Sequence, residues 1–170
     1  MRTHMGHDAA ATVIAGTGAA WAMNRVTTAF YERQSPESKR REREASSDVA
    51  YAVVVQKAAS LVGKSLERDS AERLGLGFHY AVGVALVPGY VVLRRVIGLR
   101  PLAAGLALGL SASVLVDEVA NPVLGSSAPP TDYPLVTHLR GLAGHVAFGL
   151  AVPVLFESTV AVLRRRKRSL

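Results

Sequence analysis

The sequence predicts an all-α, polytopic membrane protein: a single domain with four transmembrane helices and an amphipathic helix in the first loop. Three uncharged stretches carry that expectation. Residues 74–93 contain no Lys, Arg, Asp or Glu, residues 101–116 carry no charge, and residues 141–156 carry only a histidine. A helix rises about 1.5 Å per residue, so roughly 20 apolar residues cross a hydrocarbon core. The charges are gathered elsewhere, in 32–73, at Arg94 and Arg95, and in 164–168. A chain of 170 residues that is 49% hydrophobic yet has a net charge of +7 reconciles the two by segregating them. That length makes one membrane domain.

The first span is expected near 9–24, inside a helix over 8–31. Ala11, Ala15, Gly16, Gly18, Ala19 and Ala22 give it a face of small residues, which lets helix backbones approach closely. Trp21, Phe30 and Tyr31 suit an interface at its far end. The stretch runs into Asn24 and Arg25 without a cleavage site, so it reads as a retained span rather than a secretory signal.

Residues 32–70 form a long charged loop. Its first part, 34–47, holds Pro36 and dense charge, and is expected to be mobile or loosely helical. From Asp48 onward, Val49, Ala52, Val53, Ala59 and Val62 recur at near-helical spacing among Gln56, Lys57, Ser60 and Lys64. That pattern predicts an amphipathic helix lying on the membrane or on the bundle.

The second span, 74–93, ends at Arg94 and Arg95. The third, 101–120, opens on Pro101, which suits a first helical turn. It carries Gly105 and Gly109, and is expected to stop at Asn121, because a residue before proline is pushed out of the helical region and Pro122 follows. After a loop with Gly125, Pro129, Pro130 and Pro134, a fourth helix is expected from 138, with its span at 139–163.

Two spans share a stripe. Gly75, His79 and Gly83 precede Pro88, and Gly141, His145 and Gly149 precede Pro153. Residues four apart share a helix face, so each histidine lies between glycines. Each proline frees a carbonyl one turn earlier, at Val84 and Gly149. The stripes are expected at corresponding positions of a two-helix duplication.

Alternating helices bring Asn24, Arg25, His79, Tyr80, Asp117, Glu118, Asn121, His138, Arg140 and His145 to one end of the bundle. Ionisable groups at membrane depth face the bundle or a cavity and find partners there. Arg25 is expected to pair with Asp117 or Glu118, and His79 to approach His145 with an acid of the third span lining the same cavity. The candidates for binding a ligand or proton are therefore His79, Asp117, Glu118, Asn121, His145 and Arg25. His138 and Arg140 read as interfacial, and His4 and His7 as tail residues. Glu157 departs from the one-ended pattern, and Ser158, Thr159 or a threonine of the first helix are its expected contacts.

The segment Arg140-Gly141-Leu142-Ala143-Gly144-His145, ahead of a span that closes in a basic tail, resembles the bacterial inner-membrane YagU-like proteins. The exit from the third span, Asp117-Glu118 followed by Asn121-Pro122, is similar to them as well. The resemblance covers the second to fourth spans. It implies a bacterial inner-membrane protein with a cytoplasmic C terminus, and it supplies no catalytic residues.

No cysteine is present, which excludes disulfides, thiolate metal sites and covalent haem attachment through C-x-x-C-H. Aromatics are 6% of the chain and no nucleic-acid motif occurs. Arginines beside apolar spans fit the anionic lipid surface better, so the expected partner is the bilayer, with a second copy or another membrane protein beside it and no nucleic acid. The polar cluster points to a non-enzymatic module that binds a proton, an ion or a small ligand, in transport or stress response. The alternative is a structural or partner-binding subunit. No cofactor is expected. Haem held by His79 and His145, or a metal ion at His79, His145 and Glu118, is the remaining option, though no H-E-x-x-H spacing supports a metalloenzyme. Arg94, Arg95, Arg100 and the basic tail place both termini in the cytoplasm, with the Pro-rich third loop outside.

Overall fold

Alanine and glycine favour close helix packing, and the first helix uses them that way. The computed structural model describes the backbone of residues 2–46 and 48–168, and the side chains of 6–46 and 48–165. His4 and the end of the basic tail, from residue 166, have side chains outside the described residues. Helix α1 runs Arg2–Arg33, longer at both ends than its apolar stretch. Ala11, Ala15 and Ala19 are fully buried on one face, while Val13, Ile14 and Trp21 are exposed on the other.

The segment expected to be loosely ordered is a formed helix, α2, over Pro36–Ala45. Ser35 caps it by accepting from the Ser38 amide, and Pro36 stands in the first turn where no N–H is needed. Helix α3, Ala50–Leu61, is the predicted amphipathic element. It rests on the start of α4, Arg68–Arg95, where Gly75 lets the backbone at Ala52 come close.

Helix α5, Pro101–Ala112, continues into a π-helical segment, Ser113–Ala120, and a final turn, α6, Asn121–Val123. The expected stop at Asn121 does not occur. Asn121 takes helical angles (φ −61, ψ −49), and the helix passes through Pro122. The π segment, with its wider i→i+5 bonding, lets the chain carry a proline, which has no N–H to offer. The end comes at Gly125, whose positive φ of 63 suits glycine. There the Ser126 amide bonds back to the Asn121 carbonyl at 2.8 Å and the Gly125 amide to Pro122 at 2.9 Å. A short 3-10 turn, Pro130–Asp132, leads to α7, Leu135–Arg168, which begins earlier than the expected 138.

Among the described residues, three helical stretches are long and apolar enough to cross a membrane: Arg68–Arg95, Pro101–Val123 and Leu135–Arg165. Helix α1 matches them in length but not in hydropathy, because its apolar stretch is short and made mostly of Ala, Gly and Thr. Outside and inside are reversed relative to a water-soluble fold. The interior is small or aromatic, with Ala11, Ala15, Ala104, Val87, Tyr90, Phe148 and Phe156, while Leu102, Leu110, Val114, Leu115, Leu139, Val154 and Val162 face outward. Large aliphatic side chains over the outer surface fit lipid as solvent.

The glycine stripes set the crossings. Gly149 on α7 lies against Gly105 on α5, and the carbonyl of His145 faces Gly109, so two backbone-to-backbone contacts run antiparallel. The Gly149 carbonyl, freed by Pro153, points at the Gly105 Cα, a weak C–H···O contact. In the other pair, Gly83 on α4 meets the Gly16 carbonyl and the Ala20 methyl on α1. Gly16 and Ala20 thus take the places in α1 that Gly105 and Gly109 take in α5. The second glycines of the two stripes, Gly83 and Gly149, thus pack at corresponding positions, while the first do not: Gly75 lies against α3 and Gly141 against Asp117.

Candidate functional site

Alternation of α1, α4, α5 and α7 brings the end of α1, the start of α4, the π segment and the start of α7 together. Helices α2 and α3 cover that end. Between them is a cavity of about 860 Å³. It is bordered by His79, Asp117, Glu118, Asn121, His138 and His145, and by Asn24 and Arg140. The sequence-predicted cluster therefore borders one cavity, with Arg25 and Tyr80 as the exceptions.

His145 is only 4% exposed. Its Nε2 lies 3.1 Å from Asp117 Oδ2, while its Nδ1 is buried and has no protein partner. The glycine one turn earlier, Gly141, makes room for that carboxylate. With Nε2–H donating to the carboxylate, Nδ1 is left as a bare acceptor. His79 resembles it in one respect: its Nε2 is buried without a partner. His79 and His145 border the same cavity with Asp117. His145 Nε2, being engaged by Asp117, is not turned outward toward a macrocycle.

Glu118 has a different imidazole. His138 Nδ1 is 2.8 Å from Glu118 Oε1, and His138 Nε2 is 2.9 Å from the Pro130 carbonyl. Both ring nitrogens face acceptors, so satisfying both bonds requires one proton more than a neutral imidazole and a carboxylate contain. The pair His138–Glu118 holds that proton between them. His138 is thus a member of the site rather than an interfacial residue. The π segment places adjacent Asp117 and Glu118 against two histidines of α7, seven residues apart. Asn121 closes the helix end, its Oδ1 accepting from Ser126 Oγ at 3.2 Å.

The pairing expected for Arg25 is not formed. Its guanidinium is exposed and lies 5.9 Å from the centre of the Trp21 ring. One turn separates the two on the outer face of α1, whereas both acids turn toward α7. Arg140, expected at the interface, is largely buried, and its side chain is paired with Glu42 of α2. Arg140 Nη1 donates to Glu42 Oε2 at 2.9 Å and to Gln34 Oε1 at 3.1 Å, and its guanidinium lies over the Tyr31 ring. Thr137 donates to the same Glu42 oxygen. This network ties α2 to α7 over the cavity. A second tie is Lys57 of α3, whose ammonium donates to the Leu124 and Gly125 carbonyls at 2.8 and 2.7 Å.

Sequence reasoning missed these ties and the opposite end of the bundle. Glu157 accepts from the Tyr90 hydroxyl at 2.9 Å and lies 3.6 Å from Arg94, in place of the serine and threonines expected for it. Arg95 grips Asp8 with both terminal nitrogens. His7 belongs to α1 and is partly buried, not part of a loose tail. Periodicity within single helices does not reveal which ends meet. The sign of each pairing was visible, since Asp8 and Glu157 are the acids nearest to Arg94 and Arg95 at that end.

Tyr51 of α3 meets His79 at a tilt, with ring centres 5.7 Å apart, and Tyr133 meets His138 edge-on at 6.4 Å. Burial, with Glu72 nearby, raises the Tyr51 hydroxyl above its ordinary range, so it stays protonated. The described residues contain no cluster of three or more His, Cys, Asp or Glu suited to a metal ion. Comparison with protein families, with curated proteins and with solved structures gives no match.

Proposed function

We propose that this chain is an integral membrane protein whose internal cavity binds a small ligand through His145, Asp117 and His79. One observation carries the reading: His145, almost wholly buried, borders a cavity of about 860 Å³ and keeps an Nδ1 without a protein partner. A buried polar atom without a partner costs about 1–3 kcal/mol, so a site of this kind is stabilised by whatever satisfies it. The volume is in the range of small-molecule pockets, roughly 300–1,000 Å³, and far larger than a lone ion needs.

The test is thermal unfolding of the purified protein in detergent against panels of small cationic, neutral and anionic compounds. At least one class should stabilise the wild-type chain, and His145→Gln should abolish that stabilisation while keeping the fold. No response from any class, or the same response in the variant, would leave the cluster as helix packing in a structural subunit.

The membrane arrangement belongs to the same proposal: α1 is the fourth span, in a bacterial inner membrane, as the resemblance to YagU-like proteins implies. The exposed Val13, Ile14 and Trp21 on α1 support it. Charge supports both termini being cytoplasmic. The cavity end holds eleven basic and eleven acidic residues, while the end with both termini holds nine basic residues against Asp8 and Glu157. The whole net +7 therefore sits at that end, where it would meet the anionic cytoplasmic leaflet. The chain has no native cysteine, so single-cysteine labelling reads this directly. Ser127→Cys should react with an impermeant maleimide from outside, Gly98→Cys should not, and exposed Thr17→Cys on α1 should be shielded from both sides. Labelling of Thr17→Cys would remove α1 from the bilayer.

A further inference from the structure

Resting on that ligand-binding reading, we infer that the cavity takes a protonated organic amine with an aromatic or apolar body. The two buried side-chain atoms without a protein partner on its lining residues are both imidazole nitrogens. His145 donates through Nε2 to Asp117 and leaves its buried Nδ1 without a partner. His79 likewise has a buried Nε2 without a partner. Asp117 Oδ2 takes the bond that the His145 ring offers, and an imidazole, unlike a guanidinium, has no permanent charge to set against the carboxylate. Two acceptor nitrogens and a carboxylate are the complement of an ammonium group, which has a positive charge and several N–H donors.

Of the other charges at the cavity the acids are already answered, and Arg43 of α2 stands exposed at its border. Glu42 is paired with Arg140, and Glu118 shares a proton with His138. Asp48 is bridged to Arg68 at 3.1 Å. Asp117 is left as the negative charge opposed only by an imidazole, in a place partly shielded from water, where attraction of a cation is strongest.

The walls fit the rest of such a ligand. Five of the ten aromatic residues in the chain border this one cavity: Tyr31, Tyr51, Phe78, Tyr133 and Phe148. Aromatic faces attract cations and pack against apolar groups. Cations already sit over one of them, since Lys39 and Arg140 lie 5.0 and 5.2 Å from the Tyr31 ring. An inorganic divalent ion would need several converging ligands, and the described residues provide no such cluster.

The experiment uses four probes of one shape with the full chain in detergent: 2-phenylethylammonium, its N,N,N-trimethyl analogue, 2-phenylethanol and 3-phenylpropionate. Binding is read by isothermal titration. The primary ammonium should bind best, the quaternary analogue more weakly because it has no N–H to donate, and the alcohol and carboxylate least. Asp117→Asn should weaken the ammonium by about tenfold or more, equivalent to about 1.4 kcal/mol. Should that variant fold poorly, Tyr51→Leu removes a wall without touching the acceptors, and should weaken both cations while sparing the alcohol. Equal binding of primary and quaternary cations would overturn recognition by the acceptors. Preference for the alcohol or the carboxylate, lost in His145→Gln, would overturn the amine and keep the ligand-binding reading. Absence of binding by all four would overturn the amine, and the broader panels then decide whether any ligand binds.

Discussion

The two ends of this bundle hold carboxylates of similar depth and give them different partners. At the end with the termini, Asp8 is gripped by Arg95, and Glu157 has the Tyr90 hydroxyl and Arg94. At the other end Asp117 and Glu118 meet imidazoles. A guanidinium is charged at every accessible pH, so an acid beside it is neutralised permanently. An imidazole changes charge near neutrality, so its acid can be left negative or neutral as circumstances alter. Packing differs in the same sense. Tyr90 and Phe156 fill the closed end in edge-to-face contact at 5.5 Å, while the histidine end encloses the cavity. One end is built to stay as it is, and the other to respond.

The cavity end nevertheless contains one pair of the permanent kind, Arg140 with Glu42, and it gives the largest expected effect. Both side chains are more than four-fifths buried. Replacing Arg140 with Ala strands Glu42, at a cost of about 3–5 kcal/mol. Thermal unfolding in detergent should show that loss, and Glu42→Gln added to Arg140→Ala should return a good part of it. A single variant as stable as wild type would mean that α2 is not held over the cavity by this pair.

A smaller effect tests the closed end. Tyr90→Phe removes the hydroxyl that donates to Glu157 and leaves the ring in place. A hydrogen bond to a charged group contributes about 1.5–3 kcal/mol, with Arg94 able to take up some of the loss. Stability should fall within that range, and compounds that bind the cavity should bind the variant as they do wild type. A change in ligand binding would show that the two ends are coupled.

Helix positions and helix faces were legible in the sequence, because hydropathy and small-residue spacing act within one helix. Gly105, Gly109 and Gly149 announced close crossings, and His79, Asp117 and His145 were read as cavity neighbours. Three things were hidden. The π segment depends on how α5 accommodates Pro122, which a rule about the residue before proline gets wrong locally. The order in 36–45 comes from the Ser35 cap and from Arg140, a residue about a hundred positions away. Partner choice among several charges at one end depends on rotation about each helix axis, which small shifts in helix geometry reset.

Arg25 is where that rotation decides most, and it carries the smallest predicted effect. Sequence reasoning paired it with Asp117 or Glu118 because it is the nearest cation in the adjoining span. The bundle turns it outward, onto the Trp21 ring at 5.9 Å, while both acids turn to histidines. An exposed cation–π contact is worth about 0.5–1 kcal/mol, against the roughly 3–5 kcal/mol at stake if it were the counter-ion of a buried acid. Arg25→Ala should therefore shift unfolding only slightly, and combining it with Asp117→Asn or Glu118→Gln should give additive losses, as expected for residues without a shared contact. Binding of a cationic ligand should be unchanged, since no competing charge is removed from the cavity. A large loss in the single variant, rescued by neutralising either acid, would put Arg25 back inside the bundle. The cavity end would then have a permanent counter-charge of its own, and the contrast between the two ends would fail.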